Sequence, residues 1–390
     1  MKQPVSIVML LSNSFRPDPR VLKEASGLQS AGYNVTLICW DREAELPQDE
    51  IHSSGFHIIR IHYVPSSYGI GTKQLFRVLR FWFALWPLLN RLKPAILHCH
   101  DFDTLPVGLG WGKLHNIPVI YDAHEYYADL CKPRLHGFLG WLIYYGIRLS
   151  ELFCARLAST VITVDELLAQ VYRKQNEHVT IIGHYPSINL FETAAPVFSR
   201  NILQMIYIGR LSQDRGTLIY IDVLRSLLHA GIEARLILAG TFTPSAESEI
   251  LQTYMHDLED QVEITGWIPY EGIPALLKCC DIGLAIFKPE PRYVNALPVK
   301  MFEYMAAGLP VVASRFPVIS QVISTHDCGM LIGPNDSPEV IAGQILNWWK
   351  NPLLPMRLGN NGRLAVMNTY SWEALLLKLI KLYEGMSNSS

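Results

Sequence analysis

Short, nearly unbroken apolar runs alternate along the chain with polar loops and amphipathic stretches. The runs Val5–Leu11, Val35–Cys39, Ala95–His98, Val119–Tyr121 and Val161–Val164 have the pattern of strands buried on both faces of a sheet. Between the first two, Asp18 and Pro19 supply a helix cap and first residue. Val21, Leu22, Ala25, Leu28 and Ala31 then line one face, and Gly32 ends the helix. Strand, loop, helix and strand in that order predict βαβ units and a parallel sheet. The pattern restarts after Ile181–Arg200, which carries two prolines and no helical periodicity and reads as a linker. Leu203–Ile208 is the next strand, followed by the loop GRLSQDRGT, a helix through Leu228 and a strand at Leu236–Ala239. Ile282–Phe287 is another buried strand with Lys288–Ala296 as its exit loop. Asp165 with Glu166, and Asp336 with Ser337 and Pro338, begin two further helices.

At 390 residues the chain is long enough for two α/β domains, each with its own core. Lys+Arg 33 against Asp+Glu 35 gives a net charge of −2, which argues against nucleic acid as the main partner. Seven scattered cysteines without C-x-x-C spacing suit a reducing compartment, so a cytoplasmic setting is expected. The start MKQPVSIVMLLSNSF reads as a first strand rather than a signal peptide, because a charged, proline-containing loop follows it directly. The tail MSNSS is expected to be disordered.

Residues 71–93 mix basic side chains with Phe81, Trp82, Phe83 and Trp86, and residues 136–147 are uncharged and aromatic. Both are too short to span a bilayer. Each leaves two readings open, a helix lying on an anionic membrane and an ordinary core-facing helix. The former predicts peripheral contact with the inner face of the cell membrane.

The chemistry concentrates in NALPVKMFEYMAAGLPVVASRFP, from Asn295 to Pro317. Pro298 suits a first helical turn, Gly308 and Pro310 stop the helix, and Val311–Ala313 is a buried strand. Lys300 and Glu303, three apart, share a helix face. In GRLSQDRGT, Gly209 and Gly216 accompany Arg210 and Arg215 at a helix N-terminus, the makings of an anion site. Polar residues also crowd two strand exits in the first half, HCHDFDTLP and DAHEYY, where open α/β sheets build their sites. His98 to Asp101 invite a metal reading, but the alternation of side chains along a strand predicts that they do not converge on one ion. Asp101 and Asp103 form a weakly specific D-x-D. No metal or other cofactor is expected.

The string P-x-K-x-x-E-Y-M-A-A-G-L-P-V-V-A-S resembles the C-terminal signature of family 4 glycosyltransferases, retaining enzymes of the two-domain GT-B fold, and the resemblance runs through nearly the whole chain. It implies two Rossmann-like, doubly wound parallel-sheet domains with a cleft between them, at 1–185 and 201–370, with 186–200 as linker. The C-terminal helix, 371–387, would return to the first domain. It further implies a nucleoside-diphosphate sugar as donor. Glu303 would hold the ribose, and Lys300, Gly209 and Gly240 would lie at the donor site. Arg210 and Arg215 would grip the diphosphate, and His124 would contact the sugar. The family pattern E-x(7)-E has Asn295 at its first position here, a neutral amide that can bond a hydroxyl but cannot stabilise positive charge. GWIP, from Gly266 to Pro269, would lie near the base. Arg16, Arg20, His100, Asp101 and Glu125 would form the acceptor-side set, although Arg16 and Arg20 read equally well as capping local structure. Glu125 either orients the His124 ring or acts on the acceptor.

The expected reaction is sugar transfer to an acceptor hydroxyl in polysaccharide or glycolipid assembly. Two rivals remain. A nucleotide-sugar epimerase shares the fold and would change its donor with no acceptor present. A non-catalytic nucleotide-binding scaffold, which Asn295 favours, would show no turnover.

Overall fold

The computed structural model describes residues 4–16, 18–62, 72–131, 135, 137–191, 201–242 and 247–387; the side chains of 72–75, 247, 291 and 292 are not part of the description. The chain divides into two units, Met1–His184 with Leu375–Ser390, and Tyr185–Ala374, so the division falls inside the last helix, Trp372–Ser387.

The first unit carries eight strands: β1 (Ser6–Leu11), β2 (Asn34–Trp40), β3 (Asp49–Ile51), β4 (His57–Ile61), β5 (Ile96–His100), β6 (Val119–Ala123), β7 (Thr160–Thr163) and β8 (Val179–Ile181). Their order is β3-β4-β2-β1-β5-β6-β7-β8, parallel throughout except for the edge strand β3. Strand order reverses at β1, so the carboxyl ends of β1 and β5 form a topological switch point. The Pro19–Ser30 helix begins as its sequence dictates, with Asp18 as cap accepting from Arg20 N and Pro19 in the first turn. Val21, Ala25 and Leu28 are buried on its inner face.

In the second unit β9 (Leu203–Ile208), β10 (Ala234–Ala239), β11 (Val262–Ile264), β12 (Ile282–Ala285), β13 (Val311–Ser314) and β14 (Gly329–Ile332) form an all-parallel sheet ordered β11-β10-β9-β12-β13-β14. The reversal here lies at β9, placing a second switch point between the exits of β9 and β12. Two doubly wound parallel α/β units are the GT-B architecture. The loop expected at Lys288–Ala296 contains a short helix, Pro291–Val294, and residues 192–200 of the expected linker lie outside the described residues.

The Thr72–Leu92 helix turns Phe81, Ala84, Leu85 and Leu89 into the core of its unit, while Phe76 and Phe83 are exposed. Trp82 and Trp86 are half-buried and packed against that core, and Trp82 Nε1 donates to the Asp103 carbonyl at 2.7 Å. They therefore do not form the outward aromatic face that the membrane reading of this segment required. The second candidate continues well past 147 as the Gly137–Leu157 helix, with His136 outside the described residues. Its Phe138, Leu139 and Trp141 are 75, 68 and 54% exposed. Among the described residues, no helix is long and apolar enough to cross a membrane.

Candidate functional site

Each switch point carries a cluster of polar side chains. In the second unit the β9 exit makes a turn that only glycines allow. Gly209 has φ +127°, and Gly240, at the β10 exit, approaches it so closely that a Cβ there would lie 1.9 Å from the Gly209 carbonyl oxygen. Gly216, φ +80°, begins the Thr217–His229 helix, and a Cβ on it would meet the Ile286 carbonyl at 2.2 Å. The close approach leaves room for Lys300, whose ammonium packs against Gly209.

Lys300 lies in the first turn of the Val299–Ala306 helix, buried although charged. Its Nζ sits 3.6 Å from the centroid of the Tyr207 ring and, among the described residues, has no hydrogen-bond partner. Burial pulls its pKa well below the lysine range, and the neighbouring Arg215 guanidinium adds to the shift, while Glu303 opposes it. Glu303, one turn on, is buried as well. Arg210 donates to Asp214 Oδ2 at 3.1 Å, its Nε buried and unpaired, and Tyr293 donates to the same oxygen at 2.5 Å. The Arg215 guanidinium lies 5.7 Å from the Tyr293 ring. Three cations thus share one switch point, and the buried ammonium among them lacks a hydrogen-bonding partner. Such a site attracts a compact polyanion. Asn295, exposed, caps the Pro291–Val294 helix through its backbone.

In the first unit the expectation that His98 to Asp101 do not converge fails for two of the four, His98 and His100. The β5 strand runs through His100, so the two are separated by two residues and share a face, their rings stacked 4.3 Å apart. They meet Asp122 of β6 and Glu24 of the Pro19–Ser30 helix. Asp122 Oδ2 lies 3.0 Å from His100 Nδ1, 3.2 Å from His124 Nε2 and 3.5 Å from His98 Nε2. Glu24 Oε2 is 3.8 Å from His98 Nε2, and the Tyr383 hydroxyl bonds His98 Nδ1 at 2.6 Å. Glu24, His98, His100 and Asp122 each offer an atom able to ligate a metal, all within 4.8 Å of one another.

Protons also satisfy this group. Burial and the nearby Asp122 push the Glu24 carboxyl well above its ordinary range, leaving it protonated. Burial pushes Asp122 up too, but the imidazoles of His124, His100 and His98 win and hold it well below the ordinary value. Burial lowers His98 to about 4 and takes His124 well below the histidine range, so both rings are neutral.

Around this group stand Arg20, paired with Asp18 at 3.0 Å, and Asp101, whose φ of +63° turns the chain sharply at the β5 exit. Burial, with Asp103 beside Asp101, holds the Asp101 carboxyl well above its ordinary range and raises Glu125 too, and the field of Arg20 opposes both only in part. Arg20, His100, Asp101, His124 and Glu125 therefore form one cluster. Arg16 does not join it, being paired with Glu43 and Glu45.

Sequence reasoning gave no role to Asp122, Glu24, Tyr383 or Asp214. Asp122 stood inside DAHEYY, and strand alternation alone would have placed its side chain with the His124 ring. Glu24 reads as a solvated helix residue, and nothing in the sequence ties Tyr383 to β5.

The model of Glycosyltransferase Family 4 matches residues 20–184, and that of Glycosyl transferases group 1 matches residues 196–365. The chain is 26% identical over 273 residues to the GDP-mannose-dependent alpha-(1-6)-phosphatidylinositol dimannoside mannosyltransferase of Mycobacterium tuberculosis, covering 66% of each chain. Sucrose-phosphate synthase from Thermosynechococcus elongatus superposes with a TM-score of 0.75 at 20% identity, over 99% of this chain and 100% of that one. Anabaena HepE, solved with UDP, gives a TM-score of 0.71 at 16% identity over 98% and 100%.

Proposed function

The chain is a glycosyltransferase, with a family 4 domain followed by a group 1 domain, and from that premise we propose that it takes its sugar from a nucleoside-diphosphate sugar and transfers it with retention to an acceptor hydroxyl. The observation that carries the donor assignment is the buried Lys300 ammonium without a hydrogen-bond partner, set against Gly209 beside Arg210 and Arg215. The mycobacterial relative is named for GDP-mannose and the HepE crystal holds UDP, which supports a nucleotide in this role.

As the glycosidic bond breaks, negative charge grows on the departing diphosphate. Arg210, Arg215 and Lys300 stabilise that charge, together with the N-terminus of the Thr217–His229 helix, and the chemistry requires no metal. Glu303 accepts from the ribose hydroxyls, Asn295 and His124 contact the sugar, and a diphosphate oxygen takes the acceptor proton on the same face. Arg20, His100, Asp101 and Glu125 belong to the acceptor side. The exposed Phe138, Leu139 and Trp141 support peripheral docking on a lipid surface, and with it a lipid-linked acceptor.

A thermal-shift screen against UDP-, GDP-, ADP- and dTDP-sugars identifies the donor, because a ligand bound to the native state raises its apparent stability. Transfer by the wild type, with losses of about 10²-fold or more in Arg210→Ala and Glu303→Ala, is the expected result. Donor conversion without acceptor would replace this reading by an epimerase. No turnover in any form would replace it by a scaffold.

A further inference from the structure

We propose that Asp122 is a positioning residue that fixes His124 with its proton on Nε2 and a lone pair on Nδ1, so that the imidazole accepts a hydrogen bond from a sugar hydroxyl. The argument starts from the two ring nitrogens. Nε2 lies 3.2 Å from Asp122 Oδ2, and among the described residues neither it nor the equally buried Nδ1 completes a hydrogen bond. A proton on Nδ1 would leave the Nε2 lone pair facing a carboxylate lone pair at that distance, a repulsive contact in a site shielded from water. A proton on Nε2 turns the same contact attractive. Its alignment is not yet that of a full hydrogen bond, which suits a site whose ligand tightens it.

Asp122 is held for this task by the rest of the cluster. His100 donates Nδ1–H to it at 3.0 Å. His98 Nδ1 lies 2.6 Å from the Tyr383 hydroxyl; with that hydroxyl as donor the His98 proton falls on Nε2, which faces Asp122 at 3.5 Å and Glu24 at 3.8 Å. Every imidazole nitrogen turned toward Asp122 is then a donor, and the carboxylate stays ionised although only 1% exposed. Arg20 adds its field from the Pro19–Ser30 helix, and His184 packs against His124 with ring centroids 5.5 Å apart. The consequence is selectivity. A neutral ring offering only a lone pair takes a hydroxyl donor and repels a phosphate oxygen, so His124 belongs with the transferred sugar and not with the diphosphate. Only this last step rests on the function proposed above.

The test is the nitrogen spectrum of ¹⁵N-histidine-labelled protein, with His124 assigned by comparison with His124→Gln. His124 is expected as the Nε2–H tautomer at neutral pH, with the Nδ1–H form appearing in Asp122→Asn, whose amide can donate to Nε2. Tyr383→Phe keeps the ring, removes one hydroxyl, and should shift His98 and His124 together. In transfer assays its kcat should fall about 5-fold, the loss of one hydrogen bond, with donor KM unchanged. Asp122→Asn should lose about 10²-fold or more. If Asp122→Asn fails to fold, the wild-type and Tyr383→Phe spectra still decide.

An Nδ1–H or imidazolium His124 in the wild type overturns the proposal. So does a stoichiometric transition metal, found by elemental analysis and lost in His98→Ala, since the cluster would then be a metal centre. If the tautomer is found but no donor supports transfer, the functional reading fails and the assignment of the proton stands. Transfer with the wrong tautomer gives the reverse.

Discussion

Replacing Lys300 by methionine should stabilise the empty protein while weakening its affinity for a nucleoside diphosphate. The stem of the side chain keeps its volume, and only the ammonium is lost. Two effects of that loss oppose each other. The Tyr207 ring, 3.6 Å from Nζ, contributes a desolvated cation–π attraction of about 2 kcal/mol, which disappears. The penalty for holding an ammonium out of water without hydrogen-bonding partners, several kcal/mol, also disappears. Glu303 attracts the ammonium but weighs least of the influences on it. The desolvation penalty wins, by about 1–2 kcal/mol. At roughly 2–4 °C per kcal/mol for a unit of this size, Tm should rise by about 2–8 °C. The sign with pH is fixed by the direction of the shift. A lysine whose folded pKa is lowered destabilises the fold fully below that pKa, and the penalty vanishes as pH rises through the ordinary value of 10.5. The gap in Tm between variant and wild type should therefore close toward pH 10.5. Differential scanning calorimetry reads Tm, and titration with UDP and GDP reads affinity, expected to fall at least about 10-fold as one charge-assisted contact is lost. A variant that melts lower refutes the desolvation argument. One that still binds nucleotide with wild-type affinity refutes the anion site.

Gly240→Ala should cost about 1–3 kcal/mol and weaken nucleotide binding, because its Cβ would sit 1.9 Å from the Gly209 carbonyl oxygen, about 1.5 Å short of ordinary contact; an unchanged melting curve counts against the close approach. Asp18→Ala should cost about 2 kcal/mol near neutral pH: burial would raise this carboxyl, but its bonds to Arg20 overcome that and lower it from 3.8 to about 2. A lowered acid stabilises above its unfolded pKa, so the difference in urea midpoint should shrink as pH falls from about 4 to 2. Phe138→Glu with Leu139→Glu should move the protein off anionic liposomes in sedimentation, whereas unchanged partitioning removes the membrane proposal. Trp82→Phe should instead cost about 1 kcal/mol of stability through its lost bond to the Asp103 carbonyl, with liposome binding unaltered.

The parallel sheets and their order of elements were legible because buried strands announce themselves as unbroken apolar runs and helix starts as caps. Asp18-Pro19 and Ser337-Pro338 both behave as their sequence requires. The second-unit site was legible for a related reason. Its charged residues lie in two short segments next to strands, Gly209–Gly216 and Lys300–Glu303, so chain proximity stands in for spatial proximity. The strands β3, β4, β8, β11 and β14 escaped notice; Asp49–Ile51, Val179–Ile181 and Val262–Ile264 are three residues long, too short to carry a periodic signal. The two readings left open for the aromatic segment have a different cause. Composition shows that Trp82 and Phe83 are adjacent, but only packing shows that one is anchored to the body and the other is 78% exposed.

The first-unit cluster shows where local reading fails altogether. The strand was ended at His98, two residues short of where β5 ends, so the shared face of His98 and His100 was not drawn from it. Their partners come from residues 24, 122 and 383, distances in sequence that no motif spans. The two switch points also differ in what they store. The second unit holds a cation short of hydrogen-bonding partners, a cost to stability that an anionic donor relieves. The first holds the neutral rings of His98 and His124 beside one buried carboxylate, Asp122.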